Sequence, residues 1–336
     1  MAKVLITGVA GFIGMYTARR LCEDGFEVIG IDNLNTYYDV ELKLDRLKCL
    51  GINTEEIVLH RMYPSNIYSE LTFIQYDIVD QEGMESLFKE HQFETVIHLA
   101  AQAGIRYSFE YPETYVQVNM VGFFNILELS RKFGITHLIY ASSSSVYGEN
   151  DAEILSTDDR CEQPMNMYAA TKKSNELMAY AYSSLYGMHV TGLRFFTVYG
   201  PWGRPDMAPM IFAKAIKQGL PIELFNGGEM YRDFTYIDDI VEGIVCLFKK
   251  VSESTYTIYN IGNSSPVHMG EFVKVMQEVF GKKTYIINKE LQPGEVLRTY
   301  ADMTPMKEIY GFTPKISIRE GLQKFAVWFN DYYGEK

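Results

Sequence analysis

Three glycines between a short apolar run and a helical pattern constrain the fold of this chain more than any other feature. Residues 3–7 are rich in Val, Leu and Ile, and Gly8, Gly11 and Gly14 follow them directly. Glycines at such a point let the backbone approach a pyrophosphate at the positive N-terminus of a helix. The pattern predicts a buried strand, a phosphate-binding turn and a helix.

An acidic residue ends the second predicted strand, which covers residues 27–31. Asp32 follows Gly14 by 18 residues, close to the spacing at which a carboxylate accepts hydrogen bonds from an adenosine ribose. No arginine adjoins Asp32, so we expect NAD and not NADP. From this unit, the expected cofactor contacts beside the glycines and Asp32 are Phe12, Ile13 and Asn33.

Strands and helices continue to alternate through the first half. We predict strands over 71–76, 94–101 and 136–142, and helices over 84–91 and 112–133. Such repeats predict an α/β fold with a doubly wound parallel (Rossmann) sheet that binds ligands at the carboxyl ends of its strands. At those ends we expect cofactor contacts from Asp77, Ile78, Ala100 and Ala101, whereas His98 inside a strand is expected to be a core residue.

The connection between Asp32 and residue 71 is longer than an ordinary crossover. Residues 40–50 carry leucines at helical spacing after Asp39, a plausible cap. Residues 52–70 are predicted to be irregular, and their role as a lid, an interface or a neutral insertion stays open.

The second half predicts a smaller α/β substrate domain built from discontinuous segments. We expect helices over 210–219 and 319–333, strands over 189–196 and 222–225, and a helix capped near Asp238 or Asp239. The expected division is a cofactor domain over 1–185, with a returning segment near 236–264, and a substrate domain over 186–336. Its loops carry arginines that suit a diphosphate, namely Arg204, Arg232 and Arg298.

Composition excludes several classes of protein. A net charge of −12 over 336 residues argues against binding of nucleic acid or anionic membrane. The four cysteines lack metal-ligand spacing, so we expect reduced thiols, no metal and a cytoplasmic protein. No apolar run reaches the ~18–20 residues that span a bilayer, and the first strand leaves no room for a signal peptide.

A tyrosine and a lysine four residues apart predict a proton-transfer site. Tyr168 and Lys172 would share one face of a helix, and Ser143 would reach them from the end of a strand. An ammonium there favours the ionised phenol, whose ordinary pKa is near ~10. The spacing alone is common on surface helices, so its meaning depends on the fold around it.

Several longer motifs carry a family resemblance. The glycine pattern, the serine run at 142–145 followed by Val146-Tyr147-Gly148, and Tyr168-x-x-x-Lys172 together resemble the extended short-chain dehydrogenase/reductase superfamily, which acts on nucleotide sugars. Residues 100–108, 194–201, 203–208 and 232–236 are similar to the UDP-glucuronate 4-epimerases. The resemblance implies Ser143, Tyr168 and Lys172 as catalytic residues. It also implies bound NAD, which Tyr168 and Lys172 would contact, with Asn119 on the cofactor side. It also implies Arg204, Arg232 and Glu295 at UDP.

The serines before the tyrosine help to separate sister reactions. Related 4,6-dehydratases place an Asp-Glu pair where this chain has Ser144 and Ser145, and related decarboxylases place Glu at the position of Ser145. Thr197 stands where hexose epimerases of this kind carry Asn. Neutral hydroxyls suit a sugar carboxylate, and Arg106 is a further candidate for a carboxylate or diphosphate.

These departures predict reversible 4-epimerisation of UDP-glucuronate to UDP-galacturonate through a 4-ketone. The alternatives are a UDP-glucose/UDP-galactose 4-epimerase, a UDP-glucuronate decarboxylase and a catalytically silent NAD-binding scaffold. A homodimer is expected through the helices of residues 112–133 and of Tyr168. Their outer faces would present Phe123, Leu127, Leu177, Ala181 and Leu185, although the same spacing suits inward core positions.

Overall fold

A large parallel sheet is the main element of the fold. The computed structural model describes residues 3–150, 152–291, 294 and 296–334. Its strands are β1 (Lys3–Thr7), β2 (Glu27–Asp32), β3 (Met62–Pro64), β4 (Leu71–Gln75), β5 (Thr95–His98), β6 (His137–Ser143), β7 (Val190–Phe195), β8 (Thr197–Tyr199), β9 (Ile222–Phe225), β10 (Tyr231–Tyr236), β11 (Tyr256–Ile261), β12 (Pro266–His268) and β13 (Ile286–Lys289). Its α-helices are α1 (Phe12–Glu23), α2 (Val40–Cys49), α3 (Gln81–His91), α4 (Tyr107–Glu110), α5 (Pro112–Tyr115), α6 (Phe123–Lys132), α7 (Met167–Tyr186), α8 (Ala208–Gln218), α9 (Ile237–Lys249), α10 (Met269–Val279), α11 (Thr304–Tyr310) and α12 (Ile318–Tyr333).

The strand order confirms the doubly wound parallel fold. Within the described residues, the sheet has eight strands in the order β11-β7-β6-β5-β1-β2-β4-β3. Neighbouring strands run parallel, apart from β3, which pairs antiparallel with β4. The chain winds outward from β1 to β4, then returns to β5 and winds the other way. This reversal opens a crevice between β1 and β5, the place where such sheets bind ligands.

Hydrophobic cores cover both faces of the sheet. Val4 and Ile6 belong to one core and Leu5 to the other, and all three side chains are buried. Successive strand residues point to opposite faces, so a strand that is apolar at every position must be covered on both sides. Burial on both faces of the sheet explains why residues 4–6 are apolar at every position.

The segment over residues 52–70 is mainly irregular, as predicted, apart from one short strand. Asp39 caps α2 as expected, because its carboxylate accepts a hydrogen bond from the Glu41 backbone at 3.0 Å. Further on, residues 62–64 form β3, which adds an antiparallel edge to the sheet. Alternating side chains cannot reveal a strand of three residues, and pairing with β4 decides it.

The helix predicted over 112–133 is present without interruption in the structure, and its middle is a π-helix. The short helices α4 and α5 lead into a π-helix over Val116–Gly122, and α6 continues from there. The helix cap predicted near Asp238 or Asp239 is wrong, because α9 begins at Ile237 and Tyr236 occupies its N-cap position. The carboxylate of Asp239 instead accepts hydrogen bonds at 3.0 Å from the backbones of Lys315 and Ile316.

The second half contributes to the large sheet and also builds smaller ones. β11 pairs with β7, and β7 pairs with β6, so both strands belong to the large sheet. The expected domain boundary at residue 185 falls before β7, so it separates β7 in sequence from its partner strand β6. Among the described residues of the second half, β12-β10-β8 and β13-β9 form two small sheets. No helix among the described residues is long and apolar enough to cross a membrane.

Candidate active site

A cleft of about 770 Å3 lies at the carboxyl ends of the strands, between the large sheet and the second half of the chain. Most of the site residues predicted from sequence line it. They are Gly8, Gly11, Phe12, Ile13, Gly14, Asp32, Asn33, Ile78, Ala100, Ala101, Arg106, Ser143, Ser144, Ser145, Tyr168, Lys172, Thr197, Arg204 and Arg232. One cleft therefore holds both the predicted cofactor residues and the predicted catalytic residues.

The glycine turn has the shape of a pyrophosphate cradle. Gly8 has φ +77°, and a Cβ on it would lie 2.8 Å from the Ala100 backbone nitrogen. A Cβ on Gly14 would lie 2.1 Å from the Gly8 carbonyl oxygen, so side chains are excluded at both positions. The first turn of α1 carries no acidic residue and no side-chain cap, which leaves its N–H groups for an anion. These residues fit the diphosphate of a dinucleotide.

At the end of β2, Asp32 has a partner that the sequence did not reveal. Lys43 of α2 places Nζ 3.6 Å from a carboxylate oxygen of Asp32 and donates to the Asn35 side-chain oxygen at 2.9 Å. Asp32 and Lys43 are both buried and both line the cleft. A lysine eleven residues downstream carries no local signal, because only the docking of α2 brings it to β2.

Two predicted cofactor residues, Asp77 and Asn119, are not among the described residues that line the cleft. Asp77 accepts a hydrogen bond from the Asn33 side chain at 3.0 Å. Asn119 lies in the π-helix and is 2% exposed; its amide bonds to Gln102 and, at 3.1 Å, to Thr171 of α7. Both residues support neighbours that do line the cleft.

The Tyr168 phenol lies beside the Ser143 hydroxyl and the Arg204 guanidinium. Burial raises the pKa of Tyr168, while the hydrogen bond from Ser143 and the charge of Arg204 lower it in part. Arg204 supplies positive charge at this phenol, which the Asp206 carboxylate opposes, whereas the sequence suggested the ammonium of Lys172. Arg204 comes from the loop after β8, so only the folded chain brings it here.

Lys172 lies under the cleft and is tied to β6. Its ammonium donates to the Ala141 carbonyl at 2.9 Å, and the side chain is 2% exposed. Burial lowers the pKa of Lys172 to about 8. Nearby, His98 is a core residue as predicted: it bonds to the Thr7 hydroxyl at 2.8 Å, and burial followed by the charge of Lys172 lowers its pKa to about 3.

The buried ammonium predicts a pH-dependent stability difference for Lys172→Met. Below pH 8, Lys172 is charged in both the folded and the unfolded chain, and burial of that charge costs about 3 kcal/mol. Between about pH 8 and 10.5 only the unfolded chain keeps the proton, so stability of the wild type rises with pH. Urea unfolding should show Lys172→Met more stable by about 3 kcal/mol at pH 7 and equal near pH 10.5.

The partly exposed neighbour Lys173 provides the control for that measurement. Lys173→Met removes an ammonium one residue away and should retain the pH dependence of the wild type. If the difference in the free energy of unfolding between Lys172→Met and the wild type stays constant from pH 7 to 10.5, the prediction is contradicted.

The hydroxyls predicted around a sugar carboxylate, Ser144, Ser145 and Thr197, all line the cleft. Ser143 caps the 3-10 turn over Ser144–Tyr147: its Oγ accepts from the Ser145 backbone and donates to the Ser145 hydroxyl, each at 3.2 Å. No acidic side chain occupies residues 142–147. The turn offers hydroxyl groups at the point where dehydratases and decarboxylases resembling this chain offer carboxylates.

Arg204 is held in place by residues that the sequence did not single out. Asp206 accepts from Nε of Arg204 at 3.1 Å and from its Nη2, and Tyr37 donates to Asp206 at 2.9 Å. Burial alone would raise the pKa of Asp206, but Arg204 lowers it below its usual value. Tyr37 follows β2, so this chain of contacts links the cofactor end of the cleft to the loop of Arg204.

The other predicted arginines have different positions. Arg232 lines the cleft and donates to the Tyr231 carbonyl at 3.0 Å. Arg298 pairs with Glu153 at 3.2 Å and is not among the described residues of the cleft wall. Arg106 lies 4.9 Å from the centroid of the Phe225 ring. Glu295 lies outside the described residues.

Behind the site, a buried ion pair joins three elements. Arg194 of β7 donates to both carboxylate oxygens of Glu176 in α7, at 2.8 and 2.9 Å. Ser142 of β6 donates to the same carboxylate at 2.7 Å. Glu176 follows Lys172 by one turn of α7, and Ser142 precedes Ser143. The pair therefore fixes α7 against the strand that carries the serine.

The match to known proteins agrees with this geometry. A family profile described as the NAD dependent epimerase/dehydratase family matches residues 4–262, and the chain belongs to that family. Protein CapI from Staphylococcus aureus is 47% identical over 347 aligned residues, covering 98% of this chain and 99% of that protein. UDP-glucuronate 4-epimerase 4 from Arabidopsis thaliana is 41% identical, covering 99% of this chain and 76% of that protein.

A solved structure is similar over the whole length. UDP-glucuronic acid 4-epimerase from Bacillus cereus, in complex with UDP-glucuronic acid and NAD, superposes with a TM-score of 0.89 at 29% identity. The superposition covers 98% of this chain and 100% of that one. Fold, glycine turn and family membership agree on NAD as the cofactor.

Proposed function

We propose that this protein is a UDP-glucuronate 4-epimerase that interconverts UDP-glucuronate and UDP-galacturonate. The observation that carries the proposal is the composition of one cleft. It combines the proton-transfer set Ser143, Tyr168 and Lys172 with neutral hydroxyls at Ser144 and Ser145. These are the positions at which the family resemblance places acids in dehydratases and decarboxylases. The similarity to proteins named as UDP-glucuronate 4-epimerases supports the same assignment.

The residues of the cleft divide the chemistry among them. When bound, NAD supplies a reversible hydride acceptor for C4 of the sugar. Tyr168 takes the proton of the 4-hydroxyl as the ketone forms and returns it when the alcohol is regenerated. The Ser143 hydroxyl can donate a hydrogen bond to the same oxygen in place of its contact with Ser145. The charge of Arg204 favours the ionised phenol, and we propose the ammonium of Lys172 as a helper beneath it.

Retention of the carboxylate distinguishes this reaction from decarboxylation. The 4-ketone of a glucuronate is a β-keto acid, which loses CO2 when the bond to its carboxylate stands perpendicular to the carbonyl plane. Hydroxyls of Ser144, Ser145 and Thr197 can hold the carboxylate nearer that plane by donating hydrogen bonds to it. Rotation of the ketone in the cleft then exposes its other face, and returned hydride gives the epimer.

Product analysis tests this proposal. The purified protein is incubated with UDP-glucuronate, and the products are followed by proton NMR. We expect a mixture of UDP-glucuronate and UDP-galacturonate without loss of carbon. UDP-xylose or a 4-ketopentose as main product would assign a decarboxylase. Faster turnover of UDP-glucose would assign a hexose epimerase, and bound NAD without turnover of either sugar would assign a silent scaffold.

We propose a homodimer formed by the outer faces of α7 and α6. Two residues expected there, Phe123 and Leu127, are fully buried in the core, which corrects the sequence prediction. Leu177 and Leu185 are 61% and 72% exposed, and Phe124 of α6 is 42% exposed. An apolar surface of this kind, shared by two neighbouring helices, is typical of an interface between subunits.

Charge on that face should separate the subunits. We expect the double variant Leu177→Glu/Leu185→Glu to elute as a monomer in size-exclusion chromatography with light scattering, because two carboxylates would be buried without partners. Leu59→Glu is the control, since Leu59 is 54% exposed on the segment before β3. An unchanged dimer in the double variant, or a monomeric wild type, would refute the proposed interface.

The domain division and the cellular compartment are two further parts of this proposal. We propose a cofactor domain with a returning segment near residues 236–264, followed by a UDP-sugar domain. The sequence suggested 1–185 and 186–336 as their ranges. Because β7 pairs with β6, a boundary after Phe195 fits the large sheet better. We also propose the cytoplasm as the compartment, because Cys22, Cys49, Cys161 and Cys246 are all free thiols.

A further inference from the structure

A buried lysine lies at the ribose end of the cofactor site. Lys43 is 5% exposed, and its ammonium lies 3.6 Å from Asp32 and 2.9 Å from the side-chain oxygen of Asn35. The ring of Tyr38 covers it from another side, with the ammonium 5.3 Å from the ring centroid. These four residues all line the cleft.

The location of the pair defines which part of the cofactor it meets. Asp32 ends β2, and β2 is the neighbour of β1, whose end carries the glycine turn. In this fold, the carboxylate at the end of β2 binds the hydroxyls of the adenosine ribose. NADP differs from NAD only by a phosphate on the 2′ hydroxyl of that ribose, so Asp32 and Lys43 are adjacent to the group that distinguishes the two cofactors.

Asp32 and Lys43 would have opposite effects on the binding of a 2′-phosphate. The carboxylate of Asp32 repels a phosphate, whereas an ammonium is a strong phosphate partner. Within the described residues, Asp32 is the carboxylate that pairs with Lys43. A buried ion that loses its counter-charge is strongly destabilising. Neutralising Asp32 would leave Lys43 with the Asn35 oxygen and the Tyr38 ring, a site that favours a new anion.

We propose that Lys43 is a second determinant of cofactor choice: it neutralises Asp32 in the NAD-binding protein and forms a latent 2′-phosphate site that Asp32 alone blocks. Selectivity for NAD thus depends on one carboxylate, and the cation needed for NADP is already in place on α2. The inference concerns the nucleotide and holds whichever sugar the enzyme converts.

Nucleotide binding by single and double variants tests the proposal. The full-length wild type, Asp32→Asn, Lys43→Met and Asp32→Asn/Lys43→Met are stripped of nucleotide, and their Kd values for NAD and NADP are measured by calorimetry without sugar. We expect Asp32→Asn to bind NADP about 10- to 100-fold more tightly than the wild type, the range of one charge-assisted hydrogen bond. The double variant should lose that gain.

Thermal unfolding supplies a second readout that does not require activity. Asp32→Asn should melt below the wild type, because Lys43 loses its counter-charge, and NADP should raise its midpoint more than NAD does. Glu41→Gln removes an exposed carboxylate from the same helix and should leave both affinities unchanged.

Two results would overturn the proposal. One is an NADP affinity of Asp32→Asn that does not exceed that of the wild type. The other is a gain of equal size in Asp32→Asn and in the double variant, which would show that relief of repulsion acts without Lys43. Either result would leave the assignment as an epimerase untouched, since no sugar enters the measurement.

Discussion

Replacement of Tyr168 by Phe is expected to lower kcat by roughly 10²- to 10⁴-fold, the range that a positioned general base contributes. The phenol oxygen is the group that takes the proton of the 4-hydroxyl, and Ser143 and Arg204 both act on its pKa. The ring itself contributes packing, including an edge-to-face contact with Tyr115 in which the ring centroids lie 6.2 Å apart. Phe retains this contact. The measurement is the rate of UDP-galacturonate formation at saturating UDP-glucuronate.

A pure loss of chemistry should leave binding unchanged. We expect Tyr168→Phe to retain NAD and to bind UDP-glucuronate with a Kd close to that of the wild type, because the ring keeps its packing and only the hydroxyl, with its hydrogen bond to Ser143, is removed. Tyr115→Phe is the matched control: its hydroxyl donates to backbone carbonyls of Ala103 and Gly104, and Tyr115 is not among the described residues that line the cleft. A decrease of less than tenfold for Tyr168→Phe would exclude this residue as the base.

Replacement of Glu176 by Leu is expected to lower the free energy of unfolding by about 3–5 kcal/mol, the cost of leaving a buried charge without its partner. Glu176 and Arg194 are each 1% exposed, and two hydrogen bonds join them. Burial alone would raise the pKa of Glu176, but Arg194 holds it below its usual value, so the pair is ionised at neutral pH. Urea unfolding monitored by circular dichroism measures the loss.

Two further variants identify the buried charge as the cause. Lys173 is the other cation near Glu176: its Nζ lies 3.1 Å from a carboxylate oxygen of Glu176, and its side chain is 24% exposed. Lys173→Met should lower the free energy of unfolding by less than about 1 kcal/mol. Glu176→Leu/Arg194→Met removes both charges and should recover most of the loss. If the double variant is as unstable as Glu176→Leu, the destabilisation comes from packing and not from an unpaired guanidinium.

Much of the cofactor half could be predicted from local sequence. Gly8, Gly11 and Gly14 between two apolar runs, with Asp32 ending the second run, predict the turn and the strands around it because backbone approach and strand burial leave local marks. The helix predicted over 112–133 is present, but the sequence did not show that its middle, Val116–Gly122, is a π-helix. In this π-helix Asn119 bonds to Gln102 and to Thr171 of α7, which are contacts between distant segments that local spacing does not predict.

The sequence by itself determined the chemistry that is available: a glycine turn for a dinucleotide, Tyr168 and Lys172 one helical turn apart, and serines where sister enzymes carry acids. Only the tertiary structure decided which charges act on that chemistry. It brought Arg204 to the phenol and Lys43 to Asp32, and it tied Lys172 to the Ala141 carbonyl. The physical reason is that hydrogen bonding along a helix or strand follows short spacings, whereas an electrostatic environment depends on which distant segments pack together.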